Sequence, residues 1–119
     1  MTVIAYGLAI VLNLLCLLIG YRVLFQPKEA AAGYGVPSEK NAYLTIKGVR
    51  DGSYGLLGLA LLAFAGPLAE AWFMLFVALN PLADTFIVLR NGGTKQTAFG
   101  IHFATFVVVV ISAVLLFLL

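Results

Sequence analysis

The chain has 119 residues, 63% hydrophobic and 10% charged, with a net charge of +2 and a mean hydropathy of +1.09. A soluble domain this small has too little interior to hide so much apolar surface, so lipid is the expected solvent. The small positive charge calls for no nucleic-acid partner, because membrane topology and anionic headgroups account for the Lys and Arg residues.

A spanning helix needs about 20 mostly apolar residues. Stretches of that kind fall at about 2–25, 41–65, 67–90 and 97–119. The expected fold is all-α, a four-transmembrane-helix bundle, with residues 1–119 as a single integral membrane domain. The first stretch lacks the basic start of a cleavable leader and its apolar run is too long for one, so it is expected as a retained helix. It holds Asn13 and the lone Cys16, whose plainest role is a small apolar filler.

The connection "QPKEAAAGYGVPSEK" reads as a flexible loop punctuated by Pro27 and Pro37. Its "GYG" lacks the pore helix and Thr-Val lead-in of a potassium filter. The second helix carries "KGVRD", residues 47–51, with charges at Lys47, Arg50 and Asp51. A tight turn around "AGP" follows, and Glu70 is assigned to that turn. In the third helix Pro81 removes a backbone donor, which frees the Val77 carbonyl and bends the chain. The turn "NGGTKQ" has neither the spacing nor the preceding strand of a Walker loop. His102 lies early in the fourth helix.

Arg22, Lys28, Lys40, Arg90 and Lys95 flank or occupy the first and third connections. The positive-inside rule then puts residues 26–40 and 91–96 in the cytoplasm and both termini outside, in a bacterial inner membrane. From a rise of about 1.5 Å per residue, Lys47, Asp84 and His102 lie roughly 9 Å deep and Arg50, Asp51 and Asn80 roughly 13–15 Å deep. Thr105, Cys16 and Asn13 fall at similar or slightly greater depth. Polar groups of all four helices thus converge on the cytoplasmic half, and the outer half is expected to be apolar.

At about 100° per residue, Tyr43, Lys47, Arg50, Asp51, Tyr54 and Gly58 share one face of the second helix. Asn80 and Asp84 share a face of the third, and Lys95, His102, Thr105 and Phe106 a face of the fourth. Gly48, Gly52 and Gly55 form a separate stripe suited to close helix approach, and offer a face for a second copy of the chain.

A charge at mid-helix costs about 2.5–3.5 kcal/mol on insertion scales. Lys47, Arg50 and Asp51 should therefore face inward and pair: Lys47 with Asp51 at i, i+4, and Arg50 with Asp84 or Asp51. A purely structural network is the plainer reading of these groups, as interhelical hydrogen bonding is for Asn13 and Asn80 and packing for Tyr43, Tyr54 and His102. Against it stands the functional role that intramembrane ionisable residues usually have. No ligand set of metal spacing and no cofactor fingerprint is present.

The small multidrug-resistance transporters carry a first-helix glutamate where this chain has only Asn13. "YLTIKGVRDGSYGLLGLALL", "NPLADTFIVLRNGG" and "FGIHFATF" together make the chain resemble small four-helix membrane proteins of unknown function from bacteria and fungi, DoxX-like bundles in outline. That resemblance brings no settled activity.

The residues themselves suggest a charged pocket for a lipophilic small molecule entering from the bilayer or the cytoplasm, with membrane lipid as the surrounding partner. The expected acid–base set is Asp51, Asp84, His102, Lys47 and Arg50. The expected ligand contacts are Tyr43, Tyr54, Asn80, Asn13, Thr105, Phe76 and Phe106, with Phe73, Phe99 and Phe103 nearby. Isomerisation, cyclisation or epoxide-type hydrolysis would suit carboxylates beside bases in a low dielectric. A proton-coupled transporter and a structural assembly subunit are the competing readings.

Overall fold

The computed structural model describes residues 1–37 and 42–119. Lys40 and the expected helix start at Asn41 lie outside the described residues. Among the described residues the fold is all-α, without strands.

The first rod is α1, Thr2–Phe25. It is followed by α2, Pro27–Tyr34, which replaces the expected flexible loop. The local reasons are in the sequence. Pro27 occupies the first helical position, Glu29 lies in the positive first turn, and an alanine run follows. Gly35 ends the helix at φ 107, and its N–H bonds back to the carbonyls of Ala31 and Ala32. Only glycine adopts that left-handed cap without strain.

The second rod is α3, Ala42–Ala60, extended by a π turn at Leu61–Ala65. Gly66 reverses the chain at φ 98, and Pro67 starts the next helix without needing its missing N–H. The third rod divides at Ala78 into α4, Pro67–Val77, and α5, Leu79–Arg90. The break falls about a turn before Pro81, where a proline withdraws its donor from the ladder. The last rod begins with α6, Lys95–Thr97, capped by the Thr94 hydroxyl accepting from the Thr97 N–H. It continues through a π turn at Ala98–Phe103 into α7, Ala104–Phe117.

Three rods, Thr2–Phe25, Pro67–Arg90 and Lys95–Phe117, are long and apolar enough to cross a membrane. The longest dimension of the molecule is 41 Å, close to the ~40–45 Å of a bilayer with its headgroups. Its outer surface is rich in large apolar side chains such as Val3, Phe64, Leu68 and Phe86, as a lipid-facing surface requires.

α1 and α3 make the closest helix pair, and α4 packs on α7. Glycine explains the first contact. A Cβ on Gly20 would strike the backbone of Gly52, and one on Gly55 would meet the Asn13 carbonyl oxygen at 2.7 Å. A Cβ on Gly48 would meet Leu24 at 2.6 Å. Gly48 and Gly55 of the stripe expected to receive a second copy thus face α1 of the same chain, while a Cβ on Gly52 would meet nothing within 4 Å. An apolar core of Ala5, Ala9, Leu62, Ala71, Met74, Ala78, Val109, Ala113 and Leu116 joins the rods at the end away from α2.

Candidate functional site

A cavity of about 610 Å³ lies among α1, α3, α4, α5 and the last rod. Its wall is mostly carbon, from Leu12, Ile19, Phe73, Val77 and Val108 among others. Lys47, Asp51, Tyr54, Asp84, His102 and Thr105 add polar groups, with Asn80 and Asn13. Its volume falls inside the ~300–1,000 Å³ usual for small-molecule pockets.

The charges pair locally. Lys47 Nζ donates to Asp51 Oδ2 at 2.7 Å, one helical turn away. Asp51 is otherwise held by its position against α1, where Cys16 Sγ donates to its carbonyl oxygen at 3.2 Å. Across the cavity, Asp84 Oδ1 accepts from the Tyr34 hydroxyl at 2.7 Å. His102 Nε2 lies 2.7 Å from the Tyr34 carbonyl oxygen, and Nδ1 lies 3.9 Å from Asp84 Oδ2. A carbonyl can only accept, so Nε2 carries the hydrogen. In the neutral ring Nδ1 then offers a lone pair on the Asp84 side, and a second proton there would make an ion pair.

Tyr34 is the centre of this arrangement. Its ring packs on His102 with centroids 4.6 Å apart, and Lys47 Nζ sits 5.3 Å above it. Burial, followed by the hydrogen bond to Asp84, raises its proton affinity above the ordinary phenol value of 10.0, so the hydroxyl remains a donor. The fold docks Tyr34 from outside the long rods. Gly35 packs against Thr97 and Val88, and Gly93 fits beneath it against Val88, so α2 lies across the ends of α5 and α6. Sequence reasoning missed Tyr34 because it took this segment as a loop. The pattern of Pro27, Glu29, alanines and Gly35 was the available signal.

Several expected site residues lie elsewhere. Tyr43 is 83% exposed, and Arg50 is also exposed and makes no ion pair with a described residue, so the expected Arg50 pairing with Asp84 or Asp51 is not formed. Tyr43 lies within the expected arc but in the first turn of α3, one turn before the cavity-lining Lys47, whereas Arg50 sits at the edge of the arc, about 60° from Lys47 and about 100° from Asp51. Phe76 is 65% exposed for the same reason, about 60° from Phe73. Neither Phe99 nor Phe103 lines the cavity, and Phe106 stacks against Phe103 at 5.6 Å instead. Of the face expected for Lys95, His102, Thr105 and Phe106, His102 and Thr105 line the cavity and Lys95 and Phe106 do not; the π turn at Ala98–Phe103 interrupts the regular 100° ladder after Lys95. His102 is buried, Lys95 is exposed and Thr105 hydrogen-bonds to the Ile101 carbonyl.

A second polar centre was also missed. Glu70 is fully buried within α4, not in a turn, and its Oε1 accepts from Asn13 Nδ2 at 3.1 Å. Its Oε2 and the Ser112 hydroxyl have no hydrogen-bond partner among the described residues. A carboxylate just after a helix-starting proline ordinarily reads as a solvated partner of the helix dipole, and its partner stands 57 positions away. The half expected to be apolar therefore contains a buried carboxyl. Among the described residues, no three His, Cys, Asp or Glu side chains gather as a metal set.

Residues 13–116 match the model of a family described as a domain of unknown function, DUF4267. The chain belongs to that family. The matched region includes every polar residue of the cavity and both partners of the Asn13–Glu70 contact. The expected likeness to an unknown-function family holds at this level and does not extend to a DoxX-like relation. No curated protein and no solved structure matches the chain.

Proposed function

We propose that the protein is a four-span membrane bundle that binds a lipophilic small molecule in the cavity and changes it by proton transfer. The second span would be α3 with its π turn, crossing despite three charges because Lys47 and Asp51 neutralise each other facing inward. The basic connections would face the cytoplasm and the termini the outside. The ligand's apolar body would lie along Phe73, Val77 and Val108, with its polar end beside Asp84 and His102.

The observation that carries this reading is Asp84. Its Oδ1 is held by Tyr34, but Oδ2 takes no hydrogen bond from a described residue while the carboxylate lines the cavity. In the proposed chemistry Asp84 takes a proton through Oδ2 and His102 carries and returns a proton through Nδ1. Proton removal and return suffice for an isomerisation or cyclisation. Opening of an epoxide would add only water.

The test is mass spectrometry of small molecules that co-purify with protein extracted in native lipid discs. Wild-type protein should carry an apolar compound that Asp84→Asn loses, and its incubation in heavy water should place deuterium in that compound. Identical contents in wild-type and Asp84→Asn discs would refute the reading.

A further inference from the structure

Among the described residues, the formal charges of the cavity wall do not balance. Lys47, Asp51 and Asp84 line it. Lys47 and Asp51 cancel in a 2.7 Å ion pair. Asp84 faces Tyr34, a neutral donor, and His102, whose Nδ1 stands 3.9 Å away. Arg50 is exposed and is not among the lining residues; its charge acts on Tyr34 through space, but it makes no ion pair with Asp84. With a neutral imidazole the described wall therefore carries one net negative formal charge in a mostly apolar lining. An uncompensated carboxylate in such a medium is costly, and a positive group brought by the ligand would relieve that cost.

We propose that the natural ligand of this cavity is a lipophilic amine, bound as its ammonium form with the nitrogen at Asp84 Oδ2. This inference rests on the binding reading above and names its substrate class. Two features fit an ammonium group. Asp84 lines the cavity and its Oδ2 takes no hydrogen bond from a described residue, and charge-assisted N–H···O bonds are among the stronger polar contacts. An anionic head would instead meet Asp84 directly, because Lys47 is already engaged by Asp51. A neutral polar head would leave the carboxylate's charge unmatched.

The test uses full-length protein in lipid discs and three probes of equal chain length: dodecylamine, dodecanol and dodecanoate. Binding is read by native mass spectrometry at neutral pH, with empty discs correcting for partition into lipid. Dodecylamine should bind roughly tenfold more tightly than dodecanol, the difference expected between a charge-assisted and a neutral hydrogen bond, and dodecanoate should bind most weakly. Asp84→Asn should erase the preference for the amine while dodecanol binding persists. Arg50→Gln, which changes a charge outside the cavity, should retain the preference. Equal binding of amine and alcohol, or tighter binding of dodecanoate, would overturn the amine proposal and leave the binding reading standing. Absence of specific binding for all three probes would overturn both.

Discussion

Glu70 is fully buried and meets Asn13 at the border of the cavity, whereas Asp84, Tyr34 and His102 line the cavity itself. Both centres place a carboxyl group inside an apolar bundle. At Glu70 the surroundings are the packed rods themselves: Asn13 presses on Gly58 and Ala71 adjoins in the core. At Asp84 one oxygen is fixed by a hydroxyl from a separate short helix, and the other lies 3.9 Å from His102 Nδ1 without a hydrogen bond from a described residue. Each centre thus keeps one carboxyl oxygen without a hydrogen bond among the described residues, Glu70 Oε2 in the packed interior and Asp84 Oδ2 on a residue that lines the cavity. The second is the one placed beside space for a ligand.

The largest stability effect should come from breaking the Asn13–Glu70 contact. Glu70→Ala would strand the Asn13 amide and open a cavity, at a cost of about 2–4 kcal/mol in a reversible unfolding assay in lipid discs. Gly58→Ala should reproduce part of it, because the new methyl group displaces the Asn13 side chain from Glu70. A loss of under about 0.5 kcal/mol for Glu70→Ala would mean the contact does not hold the helices.

Changes at the open site should separate binding from stability. Tyr34→Phe removes the donor that fixes Asp84 and should cost about 1 kcal/mol of stability while weakening ligand retention several-fold. Asp84→Asn should keep its stability within about 1 kcal/mol, since the amide can still accept from Tyr34, yet abolish retention. Unfolding as severe as that of Glu70→Ala would place Asp84 with the structural contact instead. At the periphery, Tyr43→Ala and Arg50→Gln should change stability by less than about 0.5 kcal/mol, because both side chains are exposed.

Tyr34 also gives a small pH effect with a defined sign. Its hydroxyl titrates above the ordinary 10.0 because of burial and the bond to Asp84. Above that pH the unfolded chain loses a proton that the folded chain keeps, so stability falls as pH rises. The phenolate absorbance of wild-type minus Tyr34→Phe protein should therefore emerge above the ordinary range. Emergence at the ordinary value would show that the hydroxyl is not held by Asp84.

The helical rods were legible because long apolar runs and the prolines and glycines between them are local signals. Pro67 after Gly66 marks a turn without any tertiary information. The ion pair of Lys47 with Asp51 was legible for the same reason, since its partners are one turn apart. Arg50 and Tyr43 were misplaced because a 100° wheel locates a residue on an arc but not the edge at which neighbouring helices stop covering it. The π turn before α7 shifted the register in a way no periodicity count reveals. Glu70 and Tyr34 depend on partners 57 and 50 positions away, and that contact information exists only after the rods pack.

The most direct test of the central claim is an experimental structure of the protein grown in a lipidic phase, with attention to the space between Phe73 and Asp84. The expected result is elongated density along Phe73 and Val108 with its polar end within hydrogen-bond distance of Asp84 Oδ2. A collapsed interior in which Asp84 Oδ2 is closed off by a protein donor would contradict the account and leave the charges as a structural network.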